Sequence, residues 1–158
     1  AWLPHADFDH VAGVAALARV LPAPLALAIH PDDLLLYQRQ GGAAMFGLQI
    51  EPGPAPTMLL SHGQVLSLGP VNFEVRHTPG HTPGHVVFYS DAEKVVFCGD
   101  VIFRGSIGRT DLPGSSYLAL IESIETQLFP LPDETVLFSG HGPQTSVGIE
   151  RRTNPFFS

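Results

Sequence analysis

One cysteine, one tryptophan and only eight Lys plus Arg in 158 residues are what this chain has little of, and each scarcity closes a class of function. With Cys98 alone there is no internal disulfide and no thiolate set for a structural zinc site, a pattern that fits a reducing, cytoplasmic setting. Cys98 ends the apolar run Val95-Val96-Phe97-Cys98, which reads as a buried structural thiol rather than a nucleophile. The cations are scattered, only Arg151 and Arg152 being adjacent. With a net charge of −7 they exclude a nucleic-acid surface, which needs clustered Lys and Arg. No apolar run approaches the roughly 18–20 residues that span a bilayer, so no membrane segment is expected. The first residue is not Met. Ala1-Trp2-Leu3-Pro4 leads straight to His5, which reads as the opening of a fragment or a processed product.

What is present is an ordinary globular composition, 44% hydrophobic and 15% charged, at a length that suits one domain over residues 1–158. Apolar residues at three-to-four spacing predict a helix over residues 9–21, stopped by Pro22. A short strand is expected at 25–29. A second helix follows to about Gln40, capped by Asp32 or Asp33 and ended by Gly41-Gly42. Residues 47–57, with three prolines, read as loop. Short runs rich in Val, Phe and Leu then predict strands at 64–68, 71–76, 85–90, 94–98 and 135–139. A third helix is expected at 116–128 and a helical turn or two near 145–152. The class is mixed α/β.

Eight histidines are many for this length. Three strands end alike: 71–76 runs into His77-Thr78-Pro79-Gly80-His81, 94–98 into Gly99-Asp100, and 135–139 into Gly140-His141-Gly142-Pro143. In α/β folds sites gather where strands hand over to loops. With His5-Ala6-Asp7-Phe8-Asp9-His10 ahead of the first helix, seven candidate ligands come from four segments: His5, Asp7, Asp9, His10, His81, Asp100 and His141. Nitrogen and carboxylate donors without thiolate suit Zn²⁺, Fe²⁺ or Mn²⁺. Two such ions about 3.5–4 Å apart can share one bridging carboxylate. His77 and His85 flank a ligand loop and read as supporting groups, while His30 and His62 read as ordinary loop residues.

The pattern resembles the metallo-β-lactamase superfamily. His5-x-Asp7-x-Asp9-His10 looks like the signature H-x-H-x-D-H with one departure. Thr78-Pro79-Gly80-His81-Thr82-Pro83-Gly84-His85 is similar to the second ligand loop, Gly99-Asp100 to the bridging aspartate, and Gly140-His141-Gly142-Pro143 to the last histidine. The stretches 106–114 and 150–156 resemble the small bacterial glyoxalase II-like hydrolases. The resemblance covers essentially the whole chain and implies an αββα four-layer sandwich. It further implies one metal on His5, His81 and Asp7, a second on Asp9, His10 and His141, and Asp100 between them. The activity implied is hydrolysis of a small-molecule, glutathione-type thioester by a pair of zinc ions. Asp9 would accept a proton, and Arg109 is either a contact for an anionic substrate or a structural hydrogen-bonding group of its own loop.

Two departures qualify this. Asp7 stands where the family carries histidine. Extra negative charge there biases the site toward a harder metal such as Mn²⁺ or Fe²⁺, leaves a one-metal site, or impairs catalysis. Related persulfide dioxygenases hold one iron through residues matching His5, His81 and Asp100, so a mononuclear iron enzyme is the alternative. The family's opening strands, which precede the signature, are also missing. An N-terminally incomplete sandwich leaves an open sheet edge and bare apolar surface, and self-association follows.

Overall fold

The computed structural model describes residues 1–157. The chain leaves extended backbone at Asp7 to form α1 (Phe8–Val11), and α2 (Val14–Val20) follows after a break at Ala12-Gly13. The single helix expected over 9–21 is therefore two pieces. Glycine is the poorest helix former short of proline, and Gly13 sits at the break. The strand expected at 25–29 shrinks to β1 (Ala28–Ile29), paired in parallel with β2 (Met58–Leu59) beyond the proline-rich loop. Trp2 bridges to Ala28, and Leu3 N–H donates to the Ala28 carbonyl at 2.9 Å, so the first residues extend this small sheet.

A 3₁₀ turn at Pro31–Asp33 leads into α3 (Leu34–Gln38). Neither Asp32 nor Asp33 supplies the expected side-chain cap: the turn is capped by the ring of His30, and the Asp33 side chain turns inward instead. Gly41 adopts φ +63°, and a Cβ there would lie 2.2 Å from the Phe8 nitrogen. Only glycine lets this turn lie against the start of α1.

The runs after residue 64 form β3 (Val65–Leu68), β4 (Val71–His77), β5 (Val86–Ser90) and β6 (Val95–Gly99). A hairpin of β7 (Ile102–Phe103) and β8 (Ser106–Ile107) comes next. Then come α4 (Tyr117–Ser123), prolonged by a π-helical turn to Leu128, β9 (Val136–Ser139), β10 (Thr145–Ser146) and α5 (Val147–Thr153). One sheet has the order β10-β9-β6-β5-β4-β3, antiparallel except for the β6–β9 pair.

Strand alternation sorts its residues onto two faces. Val87, Tyr89, Val96, Cys98 and Leu137 pack beneath Leu120, Ile124 and Leu128 of the α4 segment and Val147 of α5. Val75, Val86, Phe88, Phe73 and Leu66 pack on Ala28, Leu60 and Trp2. A third core, with Leu3, Ala6, Val11, Val14, Leu27, Ile29 and Tyr37, joins the small sheet to the first three helices. The layers are thus α, β, β, α, as the resemblance implies.

The large sheet is unevenly buried on the face toward the small one. A cross-strand row reads Val75, Phe88, Phe97 and Phe138, and its exposure climbs from 0% and 4% to 47% and 37%. Cys98 is buried in the first core, which pushes its thiol pKa well up and removes it as a nucleophile. No helix among the described residues is long and apolar enough to cross a membrane.

Candidate metal centre

The two sheets deliver their residues to one edge. Trp2 and Leu3 run beside β1 and hand His5 to the site. Asp7 occupies the N-cap position of α1 but makes no capping bond, which leaves its carboxylate free. His81 follows β4, Asp100 follows β6 and His141 follows β9. Because β6 and β9 are parallel neighbours, Asp100 and His141 emerge side by side, and Gly140 N–H donates to the Gly99 carbonyl at 2.8 Å.

All seven ligand candidates converge. Within one group lie His5, Asp7 and His81, within another Asp9, His10, Asp100 and His141. Asp7 Oδ2 is 3.1 Å from His81 Nε2, so the shorter side chain still reaches the site. Asp9 Oδ2 lies 2.9 Å from His141 Nε2. Asp100 sits between the groups: Oδ1 is 3.3 Å from His10 Nε2, while Oδ2 is 3.4 Å from His141 Nε2 and 3.9 Å from His81 Nε2.

These contacts leave the donors unsatisfied. Seven buried side-chain polar atoms among the described residues have no hydrogen-bond partner, and five are here: both His5 nitrogens, His10 Nε2, His81 Nε2 and Asp100 Oδ1. Native interiors rarely leave such atoms unpaired, and their concentration at one point fits a cation held by nitrogen and oxygen. Protonation tells the same story. Burial, then the neighbouring histidines, hold the His5 pKa well below its ordinary value, which favours the neutral ring that a metal ligand requires. Burial also lowers His10 and His81, but Asp100, Asp9 and Asp7 around the one, and Asp7 with the Arg109 carbonyl at the other, outweigh it, and both rise. The carboxylates that draw a proton to these rings would also attract a divalent cation.

Further groups aim the ligands. His81 Nδ1 donates to the Arg109 carbonyl at 2.9 Å, which commits Nε2 to the centre. His85 is fully buried, its pKa held well down by burial and then by His81. Its Nε2 accepts the Asp100 N–H at 3.0 Å and its Nδ1 meets Thr78 Oγ1 at 3.1 Å, so it fixes the backbone of Asp100 as the expected supporting group.

Asp33 is the residue that sequence reasoning missed. Its buried carboxylate accepts from Ala6 N–H at 3.0 Å, Thr82 Oγ1 at 2.8 Å and Gly84 N–H at 2.7 Å. One side chain therefore ties the segment between His5 and Asp7 to the loop around His81. Burial raises its pKa, and the three donors pull it back. The signal in the sequence, an aspartate after His-Pro, was indistinguishable from a helix cap.

Other assignments change. Arg109 lines the cleft over the centre, but its guanidinium is held by Asp111 at 2.7 and 2.8 Å. His30 is not an ordinary loop residue: it is nearly buried and stacks on His77 at 4.1 Å and 12°. With Asp32 these two form a third close group of metal-competent side chains. Near-parallel rings aim their lone pairs along parallel planes, so the stacked pair does not converge on one ion. His77 instead supports the ligand loop, its Nε2 donating to the Pro83 carbonyl at 2.8 Å, and the His62 ring accepts from His77 N–H at 3.2 Å.

A four-layer sandwich with two adjoining His/Asp groups at its sheet edge, and Asp100 between them, defines a metallo-hydrolase scaffold. The chain belongs to the metallo-beta-lactamase superfamily, whose family model matches residues 3–141. It is 40% identical over 157 residues to the hydroxyacylglutathione hydrolase GloC of Haemophilus influenzae, covering 99% of this chain and 74% of that protein. Among solved structures, the BLEG-1 B3 metallo-beta-lactamase aligns with a TM-score of 0.91 at 38% identity, over 99% of this chain and 76% of that one. TTHA1623 in a di-iron-bound form aligns at 0.89 and 46% identity, over 98% of this chain and 75% of that one.

Proposed function

We propose that the chain is a dinuclear, zinc-dependent hydrolase of glutathione-type thioesters working in a reducing cytoplasm. The observation that carries the reading is the set of five unpaired buried donor atoms, divided between two ligand groups with Asp100 between them. Metals held by His5, Asp7 and His81 and by Asp9, His10 and His141 would supply Lewis acidity and lower the pKa of water toward neutrality. The chain's own residues do the rest. Asp9, half exposed at the cleft and 2.9 Å from His141, takes the proton from the attacking water. A cleft of about 630 Å³ bounded by Phe8, Phe46, Phe103, Ile107 and Leu112 gives the acyl and thiol arms apolar walls. The named activity of the Haemophilus relative supports the substrate class.

The test is metal content and turnover on one sample. Two zinc ions per chain, with hydroxyacylglutathione hydrolysis abolished by chelation and restored by Zn²⁺, is the expected result. One iron per chain with oxygen uptake on glutathione persulfide would replace this reading by the dioxygenase one. Failure to retain any metal after reconstitution would overturn both.

A further inference from the structure

The cleft carries two arginines, and the structure treats them differently. Of the eight Lys and Arg side chains, Arg19, Arg76, Lys94, Arg109, Arg151 and Arg152 each pair with a carboxylate. Only Arg39 and Arg104 have no such partner among the described residues, and of these two only Arg104 lines the cleft. Its position is built. Arg104 sits in the turn of the β7–β8 hairpin beside Gly105, whose N–H donates at 2.9 Å to the buried carboxylate of Glu150. Glu150 is in turn held by Thr145 Oγ1 and Asn154 Nδ2. The preceding residue, Phe103, lies 6.2 Å from the His141 ring. The hairpin thus presents one exposed, unpaired guanidinium from a fixed backbone, one residue from a side chain that faces a ligand candidate.

Apart from Arg109, the other charged groups in the lining are the carboxylates of Asp7, Asp9 and Asp100. Away from the metal ligands, an anionic substrate group entering this cleft finds one uncommitted cationic side chain, since Arg109 must break two bonds to Asp111 before it can serve. We infer that Arg104 is an anion subsite that selects thioesters whose thiol arm bears a free carboxylate, anchoring that carboxylate while the acyl carbonyl lies at the metal ligands. The assignment rests on the thioesterase reading and deepens it. It moves substrate recognition from Arg109, the arginine that motif position suggested, to one that geometry leaves available. Because the contact is remote from the scissile bond, it contributes equally to ground and transition states, and its loss raises KM with kcat unchanged.

A ligand–protein cycle tests this without relying on turnover. The probes are S-methylglutathione and its dimethyl ester, bound to wild-type and Arg104→Ala protein and followed by calorimetry. Arg104→Ala is expected to weaken the dicarboxylate roughly tenfold and to leave the ester unchanged, the size of a charge-assisted contact at a solvent-open site. Equal losses on both probes, or none on either, would overturn the subsite. Kinetics separate the two readings. If the binding cycle shows coupling but no thioester is hydrolysed, the thioesterase reading fails and the subsite stands. If thioesters are hydrolysed and the cycle shows no coupling, the subsite fails and the thioesterase reading stands.

Discussion

Asp7 and Asp33 are both aspartates near the N-terminus, and their surroundings give them opposite tasks. Asp7 faces His81 with a carboxylate that no capping bond occupies, and it adds a third negative group to a centre that already holds Asp9 and Asp100. Asp7→His removes that charge. Zinc affinity, measured by competition with a chelator, is expected to rise on the order of tenfold, about 1.4 kcal/mol, with thioester turnover rising beside it. If neither rises, Asp7 does not limit the site. Asp33 never meets the centre; it holds together the two segments that do. Asp33→Ala strands two backbone N–H groups and a hydroxyl in the interior. A loss on the order of 3 kcal/mol is expected in urea unfolding of the metal-free protein, together with weaker metal binding. Asp33→Asn keeps one acceptor oxygen and should fall between. A metal affinity untouched by Asp33→Ala would show that the two segments hold their places without it.

Individual elements set how closely the ligand loops approach. Gly140 follows β9, and a Cβ there would lie 2.3 Å from Asp100 Oδ1 and 2.7 Å from His10 Cε1. Gly140→Ala therefore pushes the shared carboxylate off its position while leaving both hydrophobic cores alone. Its far-UV circular dichroism should match wild type, and its metal affinity should drop roughly 10–100-fold, as when a ligand's support is removed. A variant that keeps full metal occupancy at low free zinc would show that the Asp100 position has slack. The Gly-Asp and Gly-His steps after strands are thus close-approach sites, which is why that pattern is legible in the sequence.

Across the sheet as a whole, burial is uneven from one end of an aromatic row to the other. Trp2 lies 5.6 Å from Phe88 and 5.8 Å from Phe73 and seals one half of the aromatic row. Phe97 and Phe138, stacked at 5.6 Å, lie bare on the other half, with Leu68 65% exposed nearby. Apolar surface of this kind promotes association. The 158-residue chain is expected to sediment as a concentration-dependent mixture of monomer and larger species. Phe97→Ser with Phe138→Ser should restore a monomer at little cost in stability, both side chains being partly solvated already. Wild-type protein that stays monomeric at all concentrations would show that the bare row is too small to drive association.

The sequence by itself determined the α/β class, the strand runs and the ligand candidates, because strand alternation and Gly-His or Gly-Asp turns are local signals. His81, Asp100 and His141 were legible from single short motifs. Element ends were less so: the helix over 9–21 divides at Gly13, and the strand at 25–29 keeps only the two residues that find a partner in β2. What only tertiary structure decided is which polar groups face each other. Asp33 read as a cap, His30 as a loop residue and Arg109 as a candidate contact for an anionic substrate. Each was reassigned by a partner 27 to 51 positions away or by a neighbour's carboxylate: Ala6, Thr82 and Gly84 for Asp33, the His77 ring for His30, Asp111 for Arg109, and the His81 ring at the Arg109 carbonyl. Motif spacing marks what a side chain can do. Hydrogen-bond partners distant in sequence decide whether it is still free to do it.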